Sequence, residues 1–109
     1  MKALAVMPRA MARRDADEAV AYYLEEGGAQ AARACISALE QAYLHIGRHP
    51  SAGSLRYAHA LNLPGLQCWP LTRYPQLVFY VERVGHVDVW RVLHGRRDIP
   101  DWMQAPAQV

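Results

Sequence analysis

The apolar positions of this chain change rhythm once, near its midpoint. Residues 3 to 7 (Ala-Leu-Ala-Val-Met) form a short apolar run that ends at Pro8, which predicts a first strand buried in a sheet. Residues 9 to 26 are mostly helix formers, and Ala12, Ala16, Ala19, Val20, Tyr23 and Leu24 recur at helical spacing. Gly27 and Gly28 stop that helix, since glycine accepts the backbone angles at which helices end. A second helix follows, with Ala32, Cys35, Ile36, Leu39, Ala42, Tyr43 and Ile46 on one face and Arg33, Ser37, Glu40 and Gln41 on the other. Residues 47 to 53, with Pro50 and Ser51 among them, end it. Two antiparallel helices joined by a tight turn are therefore expected.

After Ser54 the pattern becomes short β-branched and aromatic runs separated by turn residues, the mark of consecutive antiparallel strands. These are expected at residues 65 to 73, 77 to 83 and 87 to 93, with turns at Tyr74-Pro75-Gln76 and Val84-Gly85-His86. Pro70 places the first of them at a sheet edge or a bulge, because proline has no N–H to give a central ladder. Gly95 closes the last strand. Asp98 would then cap a short final helix with Pro100 in its first turn, carrying Ile99, Trp102 and Met103 onto the sheet. The order β-α-α-β-β-β gives an α+β fold, a helical hairpin packed on a small twisted antiparallel sheet, as one domain over residues 1 to 109.

Composition narrows the class. Hydrophobic residues at 52% and charged residues at 20% describe a globular protein rather than a disordered one. Lys2 is the sole lysine among the basic residues, so the chain favours the planar fork that binds carboxylates and phosphates bidentately. The net charge of +2 comes from the second half, a tilt that permits an acidic partner or nucleic acid and demands neither. Cys35 and Cys68 lie far apart with no CxxC spacing, and His45, His49, His59 and His86 are scattered, so no metal and no cofactor is expected and the thiols read as reduced and buried. The apolar run before Pro8 is too short for a signal peptide or a membrane span, which makes a cytoplasmic location the expectation.

The closing segment Trp90-Arg91-Val92-Leu93-His94-Gly95-Arg96-Arg97-Asp98-Ile99-Pro100 resembles the ending of ParE-type toxins, where a last strand runs into an RVLHGxRD turn. Leu63-Pro64-Gly65-Leu66, Trp69-Pro70-Leu71, Tyr74-Pro75 and Leu77-Val78-Phe79-Tyr80 are similar to the same family's hairpin, and Ala31, Pro50 and Gly53 fit its spacing. The resemblance is to the ParE/RelE superfamily, on the ParE side, and implies the RelE/ParE-like fold. It further implies the toxin of a type II toxin-antitoxin pair, silenced by a ParD-like antitoxin and, in ParE-type members, acting on DNA gyrase. RelE-type members instead cleave messenger RNA on the ribosome. Gln67 departs from the pattern, since the family commonly has arginine after Pro-Gly-Leu; placed on the hairpin surface, it suggests a weakened toxin acting mainly as an antitoxin-binding co-repressor.

The residues expected to contact target or antitoxin are Gln67, Arg73, Arg91, His94, Arg96 and Arg97. Arg91 and Arg97 would rim an apolar groove between hairpin and sheet that receives an acidic, amphipathic antitoxin segment. The alternative is that Arg97 pairs with Asp98 or Asp101 and that His94 hydrogen-bonds across the sheet; the family motif includes Arg91 and Arg97 and favours the contact role for them. A nuclease would need His94, Arg91 and Arg97 as its acid-base and phosphate groups, and only then would nucleic acid be touched directly. The lysines and the C-terminal tyrosine of RelE-type nucleases are missing after Tyr80, which favours the non-enzymatic reading. Trp69, Tyr74, Phe79, Tyr80 and Trp90 are expected to pack the sheet, and Asp15, Asp17, Glu18 and Glu25 to form a solvated helix face.

Overall fold

The computed structural model describes residues 2–95. The expected final helix with Asp98, Pro100, Ile99, Trp102 and Met103, and the candidates Arg96 and Arg97, lie outside the described residues. Strand β1 (Ala5–Pro8) leads into α1 (Ala10–Arg48), followed by a short α2 (Arg56–Ala60) and strands β2 (Leu66–Pro70), β3 (Gln76–Arg83) and β4 (His86–His94). Helix α1 is broken at Gly28, whose φ of 81° and ψ of −172° belong to a region reserved for glycine. Its two arms fold back on each other as the apolar stripes require. Ala12, Ala16 and Ala19 from the first arm share a core with Cys35, Leu39, Ala42 and Ile46 from the second.

The four strands form one sheet in the order β1-β4-β3-β2. Pairing of β2 with β3 and of β3 with β4 is antiparallel, whereas β1 runs parallel to β4, so the sheet is mixed rather than wholly antiparallel. The cause is the helical hairpin. Leu4 donates its N–H to the Gly47 carbonyl at 2.9 Å, so the second arm ends beside the point where β1 began. The chain therefore re-enters the sheet in the β1 direction, and two antiparallel reversals leave β4 pointing the same way. Pro70 sits on the edge strand β2, where its missing N–H costs no ladder bond. That strand stops at Pro70, three residues short of the expected end, because Arg73 turns the backbone with a φ of 71°.

One face of the sheet, carrying Val78, Tyr80, Val87, Val89 and Val92, packs on the helical hairpin. The other face gathers Leu66, Cys68, Phe79, Val81 and Leu93 with Ala58 of α2, a helix the sequence pattern did not announce. The aromatic residues pack as expected: Phe79 and Tyr80 are fully buried, and Trp69 stacks on His45 with ring centroids 4.0 Å apart. Cys35 and Cys68 are buried and free. Among the described residues, no helix is long and apolar enough to cross a membrane.

Candidate functional site

The site starts from Asp15. It lies with Ala12, Ala16 and Ala19 at the spacing that turns toward the sheet, so its carboxylate enters a nearly dry interface with only 8% of the side chain exposed. A charge in that position requires a partner. Arg91 of β4 supplies it through two parallel hydrogen bonds, Nε to Oδ2 at 2.6 Å and Nη2 to Oδ1 at 2.8 Å, and the Val92 N–H adds a third at 3.0 Å. A break in the β3–β4 register between Phe79 and Tyr80 makes this possible. Tyr80 faces Val89 and Phe79 faces Arg91, so Trp90 is the extra residue of a bulge, and the consecutive residues Arg91 and Val92 both reach the hairpin.

Above this ion pair, between the first arm of α1 and the ends of β3 and β4, opens a cleft of 460 Å³. Asp15, Glu18, Tyr22 and Tyr23 line one wall, and Gln76, Val92 and His94 the other. Gln76 and His94 are paired across the two strands, and the Tyr23 hydroxyl reaches the Gln76 Oε1 at 3.4 Å. Tyr22 is 56% exposed at the rim and meets Tyr23 edge-on at 5.1 Å. The cleft therefore offers aromatic surface and carboxylate to a partner. Of the two arginines expected to rim the cleft, Arg97 lies outside the described residues, and Arg91 has its guanidinium turned down onto Asp15. Pulling it away would strand a buried charge, at a cost of about 3–5 kcal/mol.

Of the expected contact residues that are described, Arg91 and His94 come together here. Arg73 is exposed on the turn that leaves β2, outside this cleft. Gln67 is a correction: it is not on the hairpin surface but 7% exposed, with its Oε1 accepting from the Gly53 N–H at 3.1 Å and the Tyr80 hydroxyl at 3.3 Å. The three consecutive positions Leu66, Gln67 and Cys68 are all buried, since β2 is covered on one face by α1 and Gly53 and on the other by α2. Asp15 is a second correction, being an interior anchor rather than part of a solvated face. Its place on the stripe at 12, 15, 16 and 19 was the signal that could have found it.

A further charged cluster joins β1 to β4 at Asp88, which accepts from Arg9 (2.9 and 3.0 Å), from the Trp90 indole at 3.2 Å and from Arg83 at 3.4 Å. Burial opposes ionisation of this carboxyl, but those donors and the Arg9 charge outweigh it and hold its pKa below the ordinary value.

Comparison with known proteins places this geometry. The model of the family described as "ParE toxin of type II toxin-antitoxin system, parDE" matches residues 6–99. Among solved structures, the "Chromosomal ParDE TA system from P. aeruginosa" superposes with a TM-score of 0.71 at 15% identity, covering 84% of this chain and 95% of that one. No curated protein matches the chain.

Proposed function

Because the chain belongs to the ParE toxin family of type II toxin-antitoxin systems, we propose that it acts in the cytoplasm by inhibiting DNA gyrase, without catalysing a reaction, and that a cognate ParD-like antitoxin silences it. The observation that carries this reading is the Arg91–Asp15 pair. A nuclease of the RelE kind needs free cations where charge develops on the phosphate. Here Arg91 is spent on an internal carboxylate, and Glu18, across the cleft from His94, opposes the approach of an RNA backbone. The co-repressor alternative loses its motive, since a buried Gln67 removes no charge from the surface.

The antitoxin segment is proposed to lie in the 460 Å³ cleft, its apolar side on Ala19, Tyr22 and Tyr23 and a basic side chain against Glu18. The structural relative, a chromosomal ParDE toxin-antitoxin system, supports a partner of this kind. The test is a supercoiling assay with purified protein, gyrase and relaxed plasmid, run beside a translation reaction in which message integrity is followed. Supercoiling should stop, the message should stay whole, and the antitoxin should restore gyrase. Codon-specific cleavage of the message with normal supercoiling would replace this reading with the nuclease.

A further inference from the structure

The carboxylates of this chain are unevenly spread. Between Glu40 and Glu82 there is no Asp or Glu, while Arg48, Arg56, Arg73, His45, His49 and His59 all fall in that stretch. The fold gathers it around β2, the edge strand. The end of α1 reaches β2 through the His45–Trp69 stack, with His49 5.0 Å from His45. The loop before α2 pairs with it through Ser54 and Cys68, and α2 packs Ala58 on Leu66 and Cys68. Arg73 stands on the turn that leaves it. Among the described acidic residues, Asp15, Asp17, Glu18, Glu25 and Glu26 are on the first arm of α1, which is anchored to β4 by Asp15, and Asp88 is on β4 itself; Glu40, on the second arm of α1, and Glu82, near the end of β3, bound the stretch.

The arginines of this side are exposed, and among the described residues none has a carboxylate within ion-pair distance; the pairs formed there use Arg9, Arg83 and Arg91. Arg48 lies in the last turn of α1, where its charge meets the negative end of the helix. Arg56 and Arg73 have no such use. The Arg56 guanidinium lies over the Tyr57 ring, 4.8 Å from its centroid, on an exposed side chain. Arg73 occupies the third position of the turn closed by the Tyr74 N–H on the Leu71 carbonyl, at a φ of 71° that glycine would adopt without strain. A bulky cation held at a strained, exposed turn serves its side chain rather than its backbone.

We infer that this basic face along the β2 edge binds the phosphate backbone of a nucleic-acid duplex, with Arg56 and Arg73 as its principal contacts. An extended polyanion fits a field spread over separate elements. An acidic peptide helix fits less well, because it needs an apolar groove, and the cavity on this side, between His45, Trp69 and Thr72, measures only 220 Å³. A single strand fits less well again. It needs free rings for its bases, whereas Trp69 is stacked on His45 and Tyr57 is held between Arg56 and Phe79. The inference uses none of the cleft residues on which the gyrase reading stands, so each can fail alone.

The test is fluorescence anisotropy of the full chain with a labelled 20-base-pair DNA duplex at salt concentrations from 50 to 200 mM. A single strand of the same length and a poly-glutamate peptide serve as competing probes. Each phosphate contact contributes about −0.9 to the slope of log affinity against log salt. The double variant Arg56→Ala/Arg73→Gly is expected to flatten that slope by about two and to lower affinity at least tenfold at 50 mM. Arg73→Gly alone should keep or raise the melting temperature while weakening binding, an outcome that a structural role for the arginine would not give. Arg33→Ala, on α1 outside the stretch, should leave the slope unchanged. The inference is overturned if the duplex does not bind, if either competing probe binds more tightly than the duplex, or if Arg33→Ala and the double variant lose affinity equally.

Discussion

Gln67 shows how one side chain divides interior from surface. Its Oε1 is the common acceptor for the Gly53 N–H and the Tyr80 hydroxyl, and an added Cβ at Gly53 would collide with that hydroxyl and come within 2.8 Å of the Gln67 Cβ. Polar groups packed this closely are tolerated because each is satisfied. Gln67→Arg would remove the shared acceptor and bring an uncompensated guanidinium into the space, so it should destabilise the fold by about 3–5 kcal/mol, far beyond the ~0.5 kcal/mol of a surface exchange. Urea unfolding followed by far-UV circular dichroism measures this, and an unchanged midpoint would return position 67 to the surface. The β-run around Gln67 was readable in the sequence, but its orientation was not. Period-two alternation would have set one neighbour of Leu66 outward, and only the covering of β2 on both faces keeps three consecutive residues buried.

At the scale of elements, the hairpin turn depends on one conformation. A Cβ at Gly28 would meet nothing within 4 Å, so the effect of a side chain there is purely one of backbone. Gly28→Ala is therefore expected to cost about 1–3 kcal/mol through its φ of 81° and ψ of −172°. Gly27→Ala meets the Ala31 Cβ at 2.7 Å and provides a steric comparison at the neighbouring position. Equal stability of Gly28→Ala and the parent in thermal melts would mean that the turn relaxes into another shape. The glycine pair, the apolar stripes and the edge position implied by Pro70 were all legible, because each is a local rule. The β4 bulge left only a trace, in valines that alternate at 87 and 89 and then resume at 92. Helix α2 left none, since five residues are too few to show a period.

The whole molecule should be stable over a window bounded by identifiable groups. Burial, aided by the Asp15 charge and opposed by Arg13, pushes the Tyr43 hydroxyl up to about 12, and burial likewise pushes Tyr80 to about 12. A raised folded-state pKa means that the stability tied to these groups is fully present below the ordinary tyrosine value of about 10 and is lost as pH rises toward 12. The depressed Asp88 pKa acts in the opposite direction: its contribution is present above the ordinary aspartate value and is lost as pH falls through the lower folded value. The urea midpoint should thus hold through neutral pH and fall at both ends, with Tyr80→Phe reducing the alkaline loss; a midpoint that stays level from pH 10 to 12 would contradict the tyrosine assignment. The family motif, the order of the helical hairpin and the four strands, and most buried helix positions were determined by the sequence alone, because each depends on residues within a few turns or strands of one another. Tertiary structure alone decided the parallel pairing of β1 with β4, the withdrawal of Arg91 onto Asp15 and the gathering of exposed arginines along β2. Those features join residues as distant as Ala5 and His86 or Asp15 and Arg91, and local periodicity carries no information about which distant side chain will neutralise a charge.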